Sequence, residues 1–142
     1  MKIEFEVDRS EALVLLKGLK HLMGITSNPK TIKIIHDIIK EIEEDGKAND
    51  FVFENLDKET ANYRNMNFPF KMMSHLKNDL KMNDPFINST YGLRQRCQKV
   101  LTKLTHSTKP GKPIPHVSLS KVKQCKTVKD LVHLIVEDYE NI

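Results

Sequence analysis

The chain opens on an alternation. Ile3, Phe5 and Val7 are apolar, while Lys2, Glu4 and Glu6 between them are charged. A period of two predicts a strand with one buried face, and it reads as a strand rather than a signal peptide. The period then changes. Ser10 is placed to cap a helix over about 11–23, with Leu13, Leu16, Leu19 and Met23 on its apolar face and Gly24 as its stop. Asn28-Pro29 starts a second helix, because Asn is a good N-cap and Pro at the first helical position loses no hydrogen bond. Ile35, Ile38, Ile39 and Ile42 make its stripe. Glu41, Glu43, Glu44 and Asp45 close it, and Gly46 is the expected end. Acidic residues at a helix C-terminus oppose the macrodipole, so this end is expected to meet something basic. Phe51, Phe53 and Leu56 read as a short strand beside residues 2–7, with a turn at Asp57-Lys58 and a return over 60–65.

Phe68-Pro69-Phe70 begins the second half. Met72, Met73, Leu76 and Leu80 recur at helical spacing and predict a helix over about 70–82, broken by Asp84-Pro85. The most regular stripe follows: Leu93, Cys97, Val100, Leu101 and Leu104, on a helix predicted over about 90–105 and capped by Ser89. Three prolines and a glycine make 106–115 a loop. Ser118 starts a helical turn through Lys123. Thr127 and Asp130 form a capping box for a last helix whose stripe is Leu131, Leu134 and Ile135, continued by Tyr139. The predicted fold is therefore α+β and mostly α-helical, with about five helices and a small N-terminal antiparallel sheet or hairpin. Residues 1–67 form an acidic strand-helix-helix region and 68–142 a basic helical region, unless the two are one continuous domain.

Composition supports a globular chain: 142 residues, 39% hydrophobic and 30% charged. Trp is absent, so the core must rest on Ile, Leu, Val and Met. Two cysteines, Cys97 and Cys125, are too few for a secreted disulfide framework, and no apolar run is long enough to span a bilayer. The expected location is cytoplasmic, with both thiols reduced.

Charge changes the picture more. Residues 1–60 carry nine basic and thirteen acidic side chains, and 61–142 carry fourteen basic and six acidic. From Pro85 to Lys129 there are ten Lys and Arg and no Asp or Glu. Solvated surfaces normally mix signs, so a one-signed run of this length points to an anionic partner. The opposite-charge halves also allow a homodimer.

Motifs for chemistry are missing. The six histidines show no His-x-x-His or His-x-x-x-His pair and the cysteines no Cys-x-x-Cys, so no metal is expected. Cys97 has Arg94 and Arg96 nearby in sequence but falls on an apolar stripe, where cysteine is a core residue. Cys125, between Lys123 and Lys126, is the more exposed thiol and has no base near it in sequence. There is no phosphate-binding glycine loop, and no cofactor is expected.

Gly92, Ile114-Pro115 and Lys126 to Val132 are similar to stretches in the second half of acyl carrier domains, which are small acidic four-helix bundles. Where that family carries its phosphopantetheine on an Asp-Ser-Leu, this chain has Arg94-Gln95-Arg96, so the resemblance transfers no carrier activity.

The residues assigned to a partner- or nucleic-acid-binding surface are Arg94, Arg96, Lys99, Lys103, Lys109, Lys112, Lys121 and Lys123. The leading expectation is a non-enzymatic protein that docks this basic surface on an anionic partner, an acidic protein surface or nucleic acid, as adaptor, regulator or inhibitor of another protein. Its richness in Ile, Lys and Asn is what AT-rich coding produces, and a virus- or mobile-element-encoded inhibitor of host nucleic-acid machinery is one form of that reading. The alternatives are a nucleic-acid binder with little sequence preference, gripping phosphates rather than bases, and a small cysteine- or histidine-dependent enzyme. Charge reversal at Arg94, Lys99 and Lys103 is expected to weaken binding at little cost to folding.

Overall fold

The computed structural model of the chain describes residues 9–142. Six α-helices, one 3-10 turn and no strand occur among the described residues. This corrects the α+β expectation: the described chain is all-helical. The predicted strand over 2–7 lies outside the described residues. Its expected partner around Phe51 and Phe53 is helix instead.

Two compact units divide the chain, one ending at Lys47 and one running from Ala48 to Ile142. The first holds α1 (Arg9–Ile25) and the beginning of α2 (Pro29–Thr60). Asn28 caps α2 as its position suggests: its Oδ1 accepts from the amides of Lys30 and Thr31 at 3.0 and 3.4 Å. Ile35, Ile39 and Ile42 are buried. Lys20 Nζ lies 3.0 Å from Glu43 Oε1, and this hydrogen bond holds the Glu43 carboxyl below the usual range. α1 leaves Val14, Leu22 and Ile25 exposed.

α2 does not end at Gly46 but continues to Thr60. One glycine inside a helix costs only about 1 kcal/mol. The buried positions 35, 39, 42, 46, 48, 52 and 56 keep helical spacing across it, so packing outweighs that cost. Glu41, Glu43 and Glu44 therefore sit in mid-helix, where the expected opposition to the helix dipole does not arise.

The second unit starts with the last turns of α2, which bury Val52 and Leu56 completely. A 3-10 turn over Ala61–Tyr63 follows. The helix expected over 70–82 is absent, and turns replace it. Local side chains compete with the helical ladder there. Ser74 Oγ donates to Pro69 O at 2.7 Å and accepts from the Lys71 amide at 3.0 Å. Asp79 Oδ2 accepts from the His75 amide, and His75 Nδ1 from the Asn78 amide. Lys81 has φ 56°, which no right-handed helix allows.

The backbone of this segment bonds instead to residues far along the chain. Lys129 N donates to Met72 O at 2.8 Å, Val128 N to Ser74 O at 3.1 Å, and Leu76 N to Lys126 O at 2.9 Å. The pairing is antiparallel and centres on a single bridge between His75 and Thr127. Ser74, Leu76 and Val128 point inward and are buried, while Met73 points outward.

α3 (Asp84–Asn88), α4 (Leu93–Thr108), α5 (Leu119–Gln124) and α6 (Val128–Glu140) complete the unit. α4 packs chiefly on α6, and α5 touches α3, α4 and α6. The predicted stripe of α4 is wholly buried: Leu93, Cys97, Val100, Leu101 and Leu104. At the start of α6 the capping box is present. Thr127 Oγ1 accepts from the Asp130 amide at 3.3 Å, and Asp130 Oδ2 accepts from the amides of Thr127 and Lys126 at 3.1 and 2.9 Å. Such a cap is worth about 1 kcal/mol. Burial alone would raise the Asp130 carboxyl, but these amides outweigh it and hold it below the usual range.

Candidate functional site

The fold sorts the ten basic side chains of the Pro85–Lys129 run into those it uses internally and those it leaves to solvent. Arg94 belongs to the first group. Its Nε donates to Val117 O at 2.8 Å, and its Nη2 to Gln98 Oε1 at 3.2 Å and lies 3.3 Å from His116 Nδ1. Gln98 in turn accepts from the Val117 amide at 2.8 Å and donates to Pro115 O at 3.1 Å. Arg94 and Gln98 thus strap the 115–117 segment to the first turns of α4.

Arg96 is also committed. Its guanidinium lies over the Tyr63 ring at 5.3 Å and 3.9 Å from a Glu59 carboxylate oxygen. The Tyr63 ring stacks on Phe86 with centroids 4.5 Å apart and planes 9° apart. Phe86 and Arg96 together engage the ring of Tyr63, so it offers no open platform for a nucleobase. The other oxygen of Glu59 takes Lys103 Nζ at 2.9 Å. This hydrogen bond holds the Glu59 carboxyl low, against its partial burial, with help from Lys99.

Lys109 caps the far end of the unit. Its Nζ donates to Tyr139 O at 2.8 Å and sits 4.1 Å from the centre of the Tyr139 ring. That places a cation at the C-terminus of α6, where the helix dipole favours it. Lys121 is exposed and lies near enough to Asp138 to lower its carboxyl, although burial leaves that group above its ordinary value.

Lys112, Lys123, Lys126 and Lys129 remain, and they form no ion pair among the described residues. Lys112, Lys123 and Lys126 are exposed and Lys129 is half-buried. Two of the eight residues assigned from sequence, Lys112 and Lys123, are thus unpaired, and Lys99 is exposed beside Glu59. Arg94, Arg96, Lys103 and Lys109 each have a partner inside the unit. Sequence reasoning passed over Lys126 and Lys129 as site residues, and it could not have found Glu59 or Tyr63. Those two lie outside the basic run, Glu59 in the last turn of α2 and Tyr63 in the 3-10 turn after it, and they meet the run only in the folded chain.

The expectation for charge reversal divides accordingly. Arg94→Glu removes the donors to the Val117 carbonyl and to Gln98 Oε1, one to each, and is expected to cost about 1–3 kcal/mol. Lys99→Glu, on an exposed position, is expected to stay within about 0.5 kcal/mol. Urea denaturation of the two variants checks the contrast; equal midpoints would show that the strap carries no stability.

Neither cysteine is placed as a nucleophile. Burial raises the Cys97 thiol far above its usual value, and partial burial with Asp130 nearby pushes the Cys125 thiol up to about 11. A nucleophilic cysteine needs the opposite shift. No group of three His, Cys, Asp or Glu placed to hold a metal ion occurs among the described residues. No helix among them is long and apolar enough to cross a membrane.

The exposed side chains of the second unit are not all basic. Tyr63, Met66, Phe68, Met73 and Tyr91 also reach solvent. Comparison of the chain with known protein families, characterised proteins and solved structures finds no match.

Proposed function

We propose that this is a non-enzymatic binding protein whose second unit docks on an acidic protein surface, as an adaptor, regulator or inhibitor. The observation that carries the reading is that Lys112, Lys123, Lys126 and Lys129 form no ion pair among the described residues, in a unit that also exposes Met, Phe and Tyr side chains. Protein interfaces are enriched in Met and aromatic side chains, and charge complementarity steers their encounter. A phosphate-binding face would use the same lysines. It would have no use for exposed methionines, and it would gain from arginines, whereas Arg64, Arg94 and Arg96 are all engaged inside the unit. Two unpaired thiols fit the reducing cytoplasm, where we place the protein. A virus- or mobile-element-encoded inhibitor of host nucleic-acid machinery is one form of this proposal.

The test is a pull-down from nuclease-treated lysate, with the wild-type chain beside a variant carrying Glu at Lys112, Lys121, Lys123, Lys126 and Lys129. A protein held by the wild type and lost by the variant is the expected result. Capture of nucleic acid alone, abolished by nuclease and falling steeply with salt, would replace this reading with direct nucleic-acid binding.

A further inference from the structure

The antiparallel pairing of 72–76 with 126–129 brings together charges that are far apart in sequence. Lys71 lies outside the basic run, and Lys126 and Lys129 lie at its end. The backbone bonds from Val128 to Ser74 and from Lys129 to Met72 set residue 73 opposite residue 129. Side chains alternate across this strap. Ser74 and Leu76 go into the core, and Met73 goes out, with 72% of its surface exposed. The result is one bare thioether side chain across the pairing from Lys129, with Lys71 two residues before it in the chain and Lys126 at the other end of the strap.

Two acids sit in the same region, and both are turned into the backbone. Asp79 Oδ2 accepts from the His75 amide at 2.8 Å. Asp130 Oδ2 accepts from the amides of Lys126 and Thr127. Neither carboxylate forms an ion pair with the three lysines. The register is fixed by backbone hydrogen bonds on both sides, so the lysines and the methionine are presented from a braced surface rather than a loose tail. Methionine is flexible and polarizable, and it adapts to the shape of an apolar partner.

We infer that Met73, with Lys129 opposite it and Lys71 and Lys126 along the same strap, is the docking point for an acidic peptide segment that carries a large apolar side chain. The apolar group covers Met73, and its flanking carboxylates meet the lysines. The charge complementarity selects an acidic segment over a second copy of this basic unit. The inference rests on the reading of the second unit as a docking surface for an acidic protein, and it assigns the place and the chemistry of the contact.

The experiment uses the full chain with methyl-labelled methionine and two fluorescent nonapeptides. One has a central phenylalanine flanked by four glutamates on each side, and the other is all glutamate. A thymidine dodecamer is the third probe. The expected result is tighter binding of the phenylalanine peptide, with the Met73 methyl resonance moving most among the methionines. Lys126→Glu with Lys129→Glu should weaken that binding by roughly tenfold, and Lys112→Glu with Lys123→Glu by less than about twofold. Met73→Ser should abolish the preference for the phenylalanine peptide, and its exposure means that folding is spared. If reversal at Lys112 and Lys123 weakens binding most while the Met73 methyl stays still, this docking point is wrong and the broader reading stands. If neither peptide binds and the thymidine oligomer does, both fail.

Discussion

Gly92→Ala is expected to destabilise the second unit by about 3 kcal/mol or more, among the largest effects available to a single added methyl group. A Cβ built on Gly92 would lie 1.9 Å from the carbonyl oxygen of Phe86 and 2.8 Å from its carbonyl carbon. The obstacle is backbone, which cannot swing aside as a side chain can. That backbone is itself held, since the Phe86 amide donates to Asn83 Oδ1 at 2.9 Å. Gly18 is the matched control. It lies inside α1 with nothing within 4 Å of its would-be Cβ, so Gly18→Ala should stabilise by about 0.5–1 kcal/mol. Urea unfolding followed by circular dichroism reads both variants. A Gly92→Ala midpoint equal to wild type would show that α3 and α4 do not approach as closely as described. The variant should also lose binding, because α4 begins at Leu93 and carries the Arg94 strap in its first turn.

Leu101→Ala should cost about 2–5 kcal/mol, the range for emptying a closed leucine site. Leu101 has no exposed surface, and it stands in the buried stripe of α4, the helix that packs chiefly on α6. The same truncation at Leu22 removes a side chain that is 49% exposed, and it should stay within about 0.5 kcal/mol. Equal losses at the two positions would contradict the division between a packed second unit and an exposed face on α1. The lysines bear on this measurement too. A core that loosens under Leu101→Ala frees the braced strap at 126–129, so peptide binding should weaken although no binding residue has changed.

Several elements were legible because their signals are local. The α4 stripe needed only the positions of Leu93, Cys97, Val100, Leu101 and Leu104, and all five are buried. The caps at Asn28, Ser118 and Thr127 were legible because an N-cap bonds within three residues of itself. The end assigned to α2 failed because Gly46 was weighed as a stop while the apolar spacing ran on through Val52 and Leu56. The continuation was present in the pattern and was outvoted by a residue that helices tolerate. Over 70–82 the error ran the other way. Met72, Met73, Leu76 and Leu80 have helical spacing, yet Ser74, His75 and Asp79 bind the backbone locally, and residues 126–129 bind it from afar. Spacing alone cannot reveal such competitors.

The candidate site shows the same division. Amino-acid composition and order established that the second half is basic, that Cys97 is a core residue and that no recognised motif for catalysis is present. Burial, which pushes the Cys125 thiol up to about 11, is decided by the packing around it. Which lysines are available is a different kind of fact. Arg96 and Lys103 meet Glu59 across 37 and 44 residues of chain, and the Lys129 amide meets the Met72 carbonyl across 57. Charge in a sequence is a sum, whereas a docking surface is what remains after internal pairing. That pairing depends on contacts between distant segments, so the strap of 72–76 on 126–129 existed only once the chain had folded.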